Sequence, residues 1–88
     1  MRPLYVIAEQ GTGKLYAGDK MVRDYYTGER MSAWITAYPN KKKPALYASK
    51  AKAKERLEYL SPYFYVRRAR GRELKWATPE QLSGPKGD

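Results

Sequence analysis

The chain of 88 residues contains no cysteine and no histidine. These absences exclude disulfides, a thiolate nucleophile, a histidine general base and an ordinary Cys/His zinc site. Glu55 and Glu58 lie three residues apart, but the basic side chains around them explain them better as partners in intrahelical ion pairs. We therefore predict that the protein is not an enzyme and that it uses no cofactor and no metal.

Long apolar runs are also missing from the chain. No stretch approaches the roughly 18 apolar residues that a membrane-spanning helix needs. Residues 1–10 contain a short apolar run without a small-residue cleavage site, so they do not fit a signal peptide. We expect no membrane contact and a cytoplasmic location.

Acidic residues are few, with 9 Asp and Glu against 18 Lys and Arg, and the formal net charge is +9. The excess is local, because the net charge is +1 in residues 1–40, +9 in residues 41–75 and −1 in residues 76–88. A positive excess of this size indicates a polyanionic ligand or an acidic protein surface as the partner.

The pattern of apolar residues and turn formers predicts one small domain over residues 1–75. Residues 4–9 are rich in strand formers, and the glycines at positions 11 and 13 provide a hairpin turn into a second strand. Further strands are predicted at residues 33–38 and 63–70, with a short edge strand at 45–48. Residues 18–31 follow no clean period, which predicts a connector with one helical turn.

One helix is predicted over residues 50–60. Ser49 is a good N-cap, and the proline at position 62 stops the helix. Ala53, Leu57 and Leu60 form an apolar stripe that faces the sheet. The predicted fold class is therefore α+β, in which a small antiparallel sheet of three or four strands is packed on one face by a single helix. Residues 76–88 are predicted to be a mostly disordered tail with a single helical turn after Thr78.

Side-chain alternation predicts two different faces of this sheet. The face toward the helix is aliphatic and contains Leu4, Val6, Ile35, Phe64 and Val66. The other face places Tyr5, Ile7 and Arg67 beside four aromatic residues that could stack on unpaired bases, namely Trp34, Tyr38, Tyr63 and Tyr65. Two alternatives stay open, because the connector could cover this face or the face could form a homodimer or partner interface.

The basic segment predicts one surface that contacts phosphates or an acidic partner, against the alternative of a merely solvated face. Its candidate contacts are Lys41, Lys42, Lys43, Lys50, Lys54, Arg56, Arg67, Arg68, Arg70 and Arg72. The arginines near the end of this segment favour an anionic ligand, because a guanidinium binds phosphate or carboxylate with two hydrogen bonds.

Several short motifs follow one another along the chain. They are an opening strand Tyr5, Val6 and Ile7, a strand at residues 13–16, a central Trp34, the run Tyr47, Ser49, Lys50, Ala53 and Leu57, and a strand with Tyr65 and Val66. This order resembles small uncharacterised phage-encoded proteins with a βββαβ core, although the connector and the arginine-rich end depart from that pattern. The resemblance implies a phage or prophage context and, with it, the cytoplasm of a bacterial host.

Two functions from different classes follow from these observations. The first is a non-catalytic phage-type protein that binds DNA or RNA through its basic surface with low sequence specificity. The alternative is a phage-encoded inhibitor or adaptor that binds the acidic surface of a host nucleic-acid-processing or defence protein. A structural virion or packaging component is a third interpretation.

Overall fold

The computed structural model describes residues 3–60 and 62–83. Within them, four antiparallel strands form one sheet and three short helices accompany it, which confirms the predicted α+β class. The strands are β1 (Tyr5–Glu9), β2 (Leu15–Arg23), β3 (Arg30–Ala37) and β4 (Phe64–Arg68). The helices are α1 (Lys50–Leu57), α2 (Gly71–Leu74) and α3 (Pro79–Ser83).

Strand β1 lies inside the sheet, whose order is β3-β2-β1-β4. Its residues Val6, Ile7 and Ala8 are all buried, so this strand carries apolar side chains toward both faces. One core contains Ile7 with Tyr16, Ala53 and Phe64, and the other contains Val6, Ala8 and Leu15. Both faces of the sheet are therefore packed around β1.

The first hairpin forms as predicted. Gly11 and Gly13 take φ values of +88° and +74°, in the left-handed region that glycine enters without a steric penalty. The Glu9 amide then donates to the Lys14 carbonyl at 2.8 Å and closes the turn between β1 and β2. Tyr47 forms a single antiparallel bridge with Tyr5, where a short edge strand is predicted.

The predicted connector over residues 18–31 is wrong, because these residues form a second hairpin. After an irregularity between Tyr16 and Asp19, strands β2 and β3 pair without interruption out to Arg23 and Arg30. We call this extension, residues 19–34, the β2–β3 arm. Most of its side chains are exposed, so neither face of the arm has to be apolar. Apolar and polar residues therefore do not alternate along it, and the sequence lacks the period of two that indicates a strand.

The end of the arm is closed by Asp24. Its carboxylate accepts hydrogen bonds from the amides of Tyr26 and Thr27 at 2.8 and 2.9 Å. The hydrogen bonds from the Thr27 and Tyr26 amides lower the pKa of the Asp24 carboxyl below its usual value. Gly28, with φ of +74°, completes the turn into β3.

Helix α1 begins where it is predicted and ends earlier. The Ser49 hydroxyl accepts a hydrogen bond from the Lys52 amide at 3.1 Å, which satisfies one of the free N–H groups of the first turn. The helix ends at Leu57 rather than at Leu60, and the chain continues in a tight turn. Ala53 is fully buried, and Leu57 and Leu60 pack against the core of Ile7 and Phe64 as the apolar stripe predicts.

The predicted division of side chains between the two faces is wrong. Ile7 lies opposite Val66, so these two residues share the face that α1 covers. Val6 lies opposite Arg67 and Ala8 opposite Tyr65, and these four share the other face. The cause is the register of β4 against β1, because a slip of one residue moves every side chain of a strand to the opposite face.

Candidate nucleic-acid interface

The sequence concentrates positive charge in two stretches, and one hydrogen bond joins them. The Trp76 indole Nε1 donates to the Pro39 carbonyl at 2.7 Å, across 37 positions of the chain. Pro39 leads directly into the lysines at positions 41–43, while Trp76 follows the arginines of β4 and α2. The fold therefore places the lysine loop beside the arginine-rich end.

A cleft of about 480 Å³ opens at this junction, and we call it the basic cleft. Its lining consists of Pro39, Asn40, Arg72, Lys75 and Trp76. The described lining thus carries two cations and no carboxylate, so its local charge favours an anion. The indole ring forms part of its apolar surface, and Trp76 as a residue is 39% exposed.

The lysine loop is a turn anchored on β3. The amides of Lys41 and Lys42 both donate to the Tyr38 carbonyl, at 2.9 and 3.2 Å. Lys41, Lys42 and Lys43 are exposed at this turn, next to Asn40 in the cleft wall. A folded turn holds these charges near one place, where an unstructured loop would spread them.

The opposite wall of the cleft is positioned by a buried carboxylate. Glu73 is only 3% exposed, and its Oε1 accepts from the Arg67 guanidinium at 2.7 Å and from the Arg70 amide at 2.9 Å. The first contact ties α2 to β4, and the second satisfies a free N–H at the start of α2. Glu73 thereby fixes the segment that carries Arg72 and Lys75.

Two of the ten predicted contact residues have ion-pair partners among residues 3–60 and 62–83. The Arg67 guanidinium pairs with Glu73, and its side chain is 19% exposed. The Arg56 guanidinium forms an ion pair with Asp19 and donates from Nε to the Tyr16 hydroxyl at 2.9 Å. These two charges are balanced by neighbouring groups, so they contribute less to an external anion site than exposed, unpaired cations do.

The other eight predicted cations are exposed. They are Lys41, Lys42, Lys43, Lys50, Lys54, Arg68, Arg70 and Arg72. Of these eight, Arg72 belongs to the described lining of the cleft, and the lysine loop follows Asn40 of that lining. The described lining contains neither Arg68 and Arg70 nor the two lysines of α1, Lys50 and Lys54. Contact of the two α1 lysines with a ligand stays a prediction.

The four predicted stacking aromatics do not form one platform. Trp34 packs edge-on against Phe64, with ring centroids 6.0 Å apart, so it lies on the α1 face. Tyr65 lies opposite Ala8 on the other face of the sheet. Tyr38 lies with its ring centroid 5.7 Å from the Lys14 ammonium, and Tyr63 precedes β4 and is exposed. Stacking on any of them stays a prediction.

Lys75 and Trp76 line the cleft but are not among the predicted contact or stacking residues, although Lys75 belongs to the basic segment of residues 41–75. Trp76 falls in the predicted tail, of which residues 84–88 lie outside the described residues. The available signal was a large aromatic residue directly before a capped helical turn. That turn is present as α3, where the Gln81 amide donates to the Thr78 hydroxyl at 3.2 Å and the Thr78 amide donates back to the Gln81 side chain.

The β2–β3 arm carries a different kind of surface. Tyr25 and Tyr26 at its end are 93% and 92% exposed, and their rings meet edge-on with centroids 5.3 Å apart. Met21 and Met31 are exposed further along the arm. Clustered aromatic and methionine side chains of this kind are typical of protein contact surfaces.

Comparison of the chain with protein-family models, with curated protein sequences and with solved structures found no match. Among the helices of residues 3–60 and 62–83, none has the length and apolar character needed to cross a membrane.

Proposed function

We propose that this protein binds nucleic acid without catalysis, through the basic cleft and the lysine loop beside it. The hydrogen bond between Trp76 and Pro39 carries the proposal, because it joins two basic stretches that are far apart in the chain. A phage origin and a place in the host cytoplasm, which the resemblance implies, belong to the same proposal.

Phosphate groups are the ligand chemistry that this surface fits best. Arg72 offers a planar guanidinium and Lys75 an ammonium within one cleft, and Lys41–Lys43 adds three exposed ammonium groups next to it. Contacts to phosphates fix the position of a nucleic acid but carry no sequence information. We therefore expect low sequence specificity.

The test measures binding affinity at a series of salt concentrations. Fluorescence anisotropy reports the binding of labelled single-stranded DNA, duplex DNA and RNA. The cleft variant replaces Arg72 and Lys75 of the cleft and Lys42 of the adjoining lysine loop with Gln. The log–log slope of affinity against salt should fall in magnitude by about 2 to 3, since each neutralised phosphate contributes roughly 0.7 to 0.9.

The matched control replaces Lys20, Arg23 and Arg30 with Gln, which removes the same charge from exposed positions of the β2–β3 arm. It should change the slope by less than one unit. Equal changes in the two variants would show that only net charge matters, and the cleft would then lose its role. Absence of binding to all three ligands at low salt would refute the proposal.

The exposed end of the β2–β3 arm supports a second candidate function, an inhibitor or adaptor that binds a host protein. Tyr25 and Tyr26 would supply apolar contact area, and the basic cleft would face acidic residues of the partner. The same titrations separate the candidates, because this function requires no affinity for any nucleic acid.

A further inference from the structure

We infer that the basic cleft binds single-stranded nucleic acid by stacking an unpaired base on Trp76. This inference rests on the proposed function and adds the ligand class and the residue that selects it. Trp76 is the aromatic residue among the described lining of the cleft, and Arg72 and Lys75 share that lining. A flat apolar ring beside two cations matches the two parts of a nucleotide, the base and the phosphate.

The indole ring is held in position before any base binds to it. Its N–H is already satisfied by the Pro39 carbonyl at 2.7 Å, so the ring is held in place before a ligand arrives. Trp76 is 39% exposed, which leaves apolar area for a base to cover. Ordering a ring in advance reduces the entropy that binding would otherwise cost.

The cleft favours an unpaired base over a base pair. Its volume of about 480 Å³ lies within the range of roughly 300 to 1,000 Å³ that is typical of pockets for single small ligands. A base inside a duplex is stacked on both sides and paired, so it cannot cover the indole without leaving the helix. A base of a single strand has no pairing partner to leave, so it can cover the indole without the cost of unpairing.

Asn40 completes the cleft in a way that tolerates different bases. Its side-chain amide holds both donors and an acceptor, so it can hydrogen-bond to the edge of any base. We therefore expect stacking with little discrimination among bases, in agreement with the low sequence specificity proposed above.

The chain contains two tryptophans, which allows a direct optical test. In a Trp34→Phe background, position 34 keeps an aromatic ring and Trp76 becomes the one fluorescent indole. Titration with oligothymidylate of about ten nucleotides should quench the Trp76 emission in step with binding measured by anisotropy. A duplex of the same length should bind without this quenching.

Replacement of Trp76 supplies the affinity measurement. Trp76→Ala should weaken binding of the oligothymidylate by about 5- to 150-fold, the effect of losing one stacked base. Duplex affinity should fall less, by only the amount that loss of the hydrogen bond to Pro39 costs. The duplex is the internal control, because a general loosening of the cleft in this variant would weaken the binding of both ligands equally.

The outcomes separate the inference from the function it rests on. Equal loss of affinity for both ligands, or binding of the single strand without quenching, overturns the stacking inference and leaves nucleic-acid binding standing. Failure of the Trp34→Phe protein to bind either ligand, together with failure of the native chain, overturns both.

Discussion

The buried carboxylate of Glu73 gives the sharpest stability prediction for this fold. Glu73→Ala removes the partner of Arg67 and the acceptor of the Arg70 amide. Breaking a fully buried ion pair costs about 3–5 kcal/mol. The Arg67 side chain is 19% exposed and regains some hydration, which places the expected loss near 3 kcal/mol. For a domain of this size, the melting temperature should fall by roughly 12–24 °C.

A double-mutant cycle isolates the pair from the rest of the α2 segment. The single variants of the cycle are Glu73→Leu and Arg67→Met, and Arg67→Met should also destabilise, because it leaves a buried carboxylate without its cation. The double variant Arg67→Met with Glu73→Leu should return to within about 1 kcal/mol of the native protein, since apolar side chains of similar volume replace both charges. Urea unfolding followed by circular dichroism measures all four free energies of unfolding.

Two results would refute this reasoning. Single variants that lose no more than about 0.5 kcal/mol would behave like surface substitutions, and the ion pair would contribute nothing to the packing of α2. The double variant also leaves the net charge unchanged, so its salt slope for nucleic-acid binding should equal the native one. A slope smaller by about 0.7 to 0.9 would show that Arg67 contacts a phosphate.

Two further predictions concern α1 and Tyr47. Ser49→Ala should cost about 1 kcal/mol in urea unfolding, because the Lys52 amide loses its acceptor, whereas Ser32→Ala on the exposed arm should cost less than about 0.5 kcal/mol. Burial, helped by Tyr16, raises the pKa of Tyr47 to about 12 from an unfolded value near 10. The fold therefore favours the neutral phenol, and this stabilisation is complete below pH 10 and disappears as the pH rises through 12. The free energy of unfolding of Tyr47→Phe should therefore fall less steeply between pH 10 and 12 than that of the native protein. An equal pH dependence of the two proteins would contradict the assignment.

Local signals predicted much of the fold. The glycines at positions 11 and 13 predicted the first hairpin, and Ser49 predicted the start of α1, because both effects act within a few residues of the chain. The β2–β3 arm could not be predicted in the same way. Its strands are paired through backbone hydrogen bonds, and its exposed side chains leave no alternation in the sequence.

The sequence predicted which segment carries the basic residues of the candidate site, but not how they are arranged in space. The charge excess of residues 41–75 identified Arg72, which lines the basic cleft, and the exposed lysine loop next to it. The same excess could not show that Arg67 is paired with Glu73, because a lone glutamate in a basic segment looks like any other surface residue. Trp76 was missed because its partner, Pro39, belongs to a distant part of the chain.

The sequence by itself determined the class of the fold, the turn of the first hairpin, the start of α1, and the segment that carries the positive charge. These properties depend on each residue and its nearest neighbours in the chain. Only the tertiary structure decided the register of β4 against β1, the pairing of Arg67 with Glu73 and the contact of Trp76 with Pro39. Those contacts join residues of different elements, and they are settled by which apolar surfaces can be buried together while every buried polar group keeps a partner.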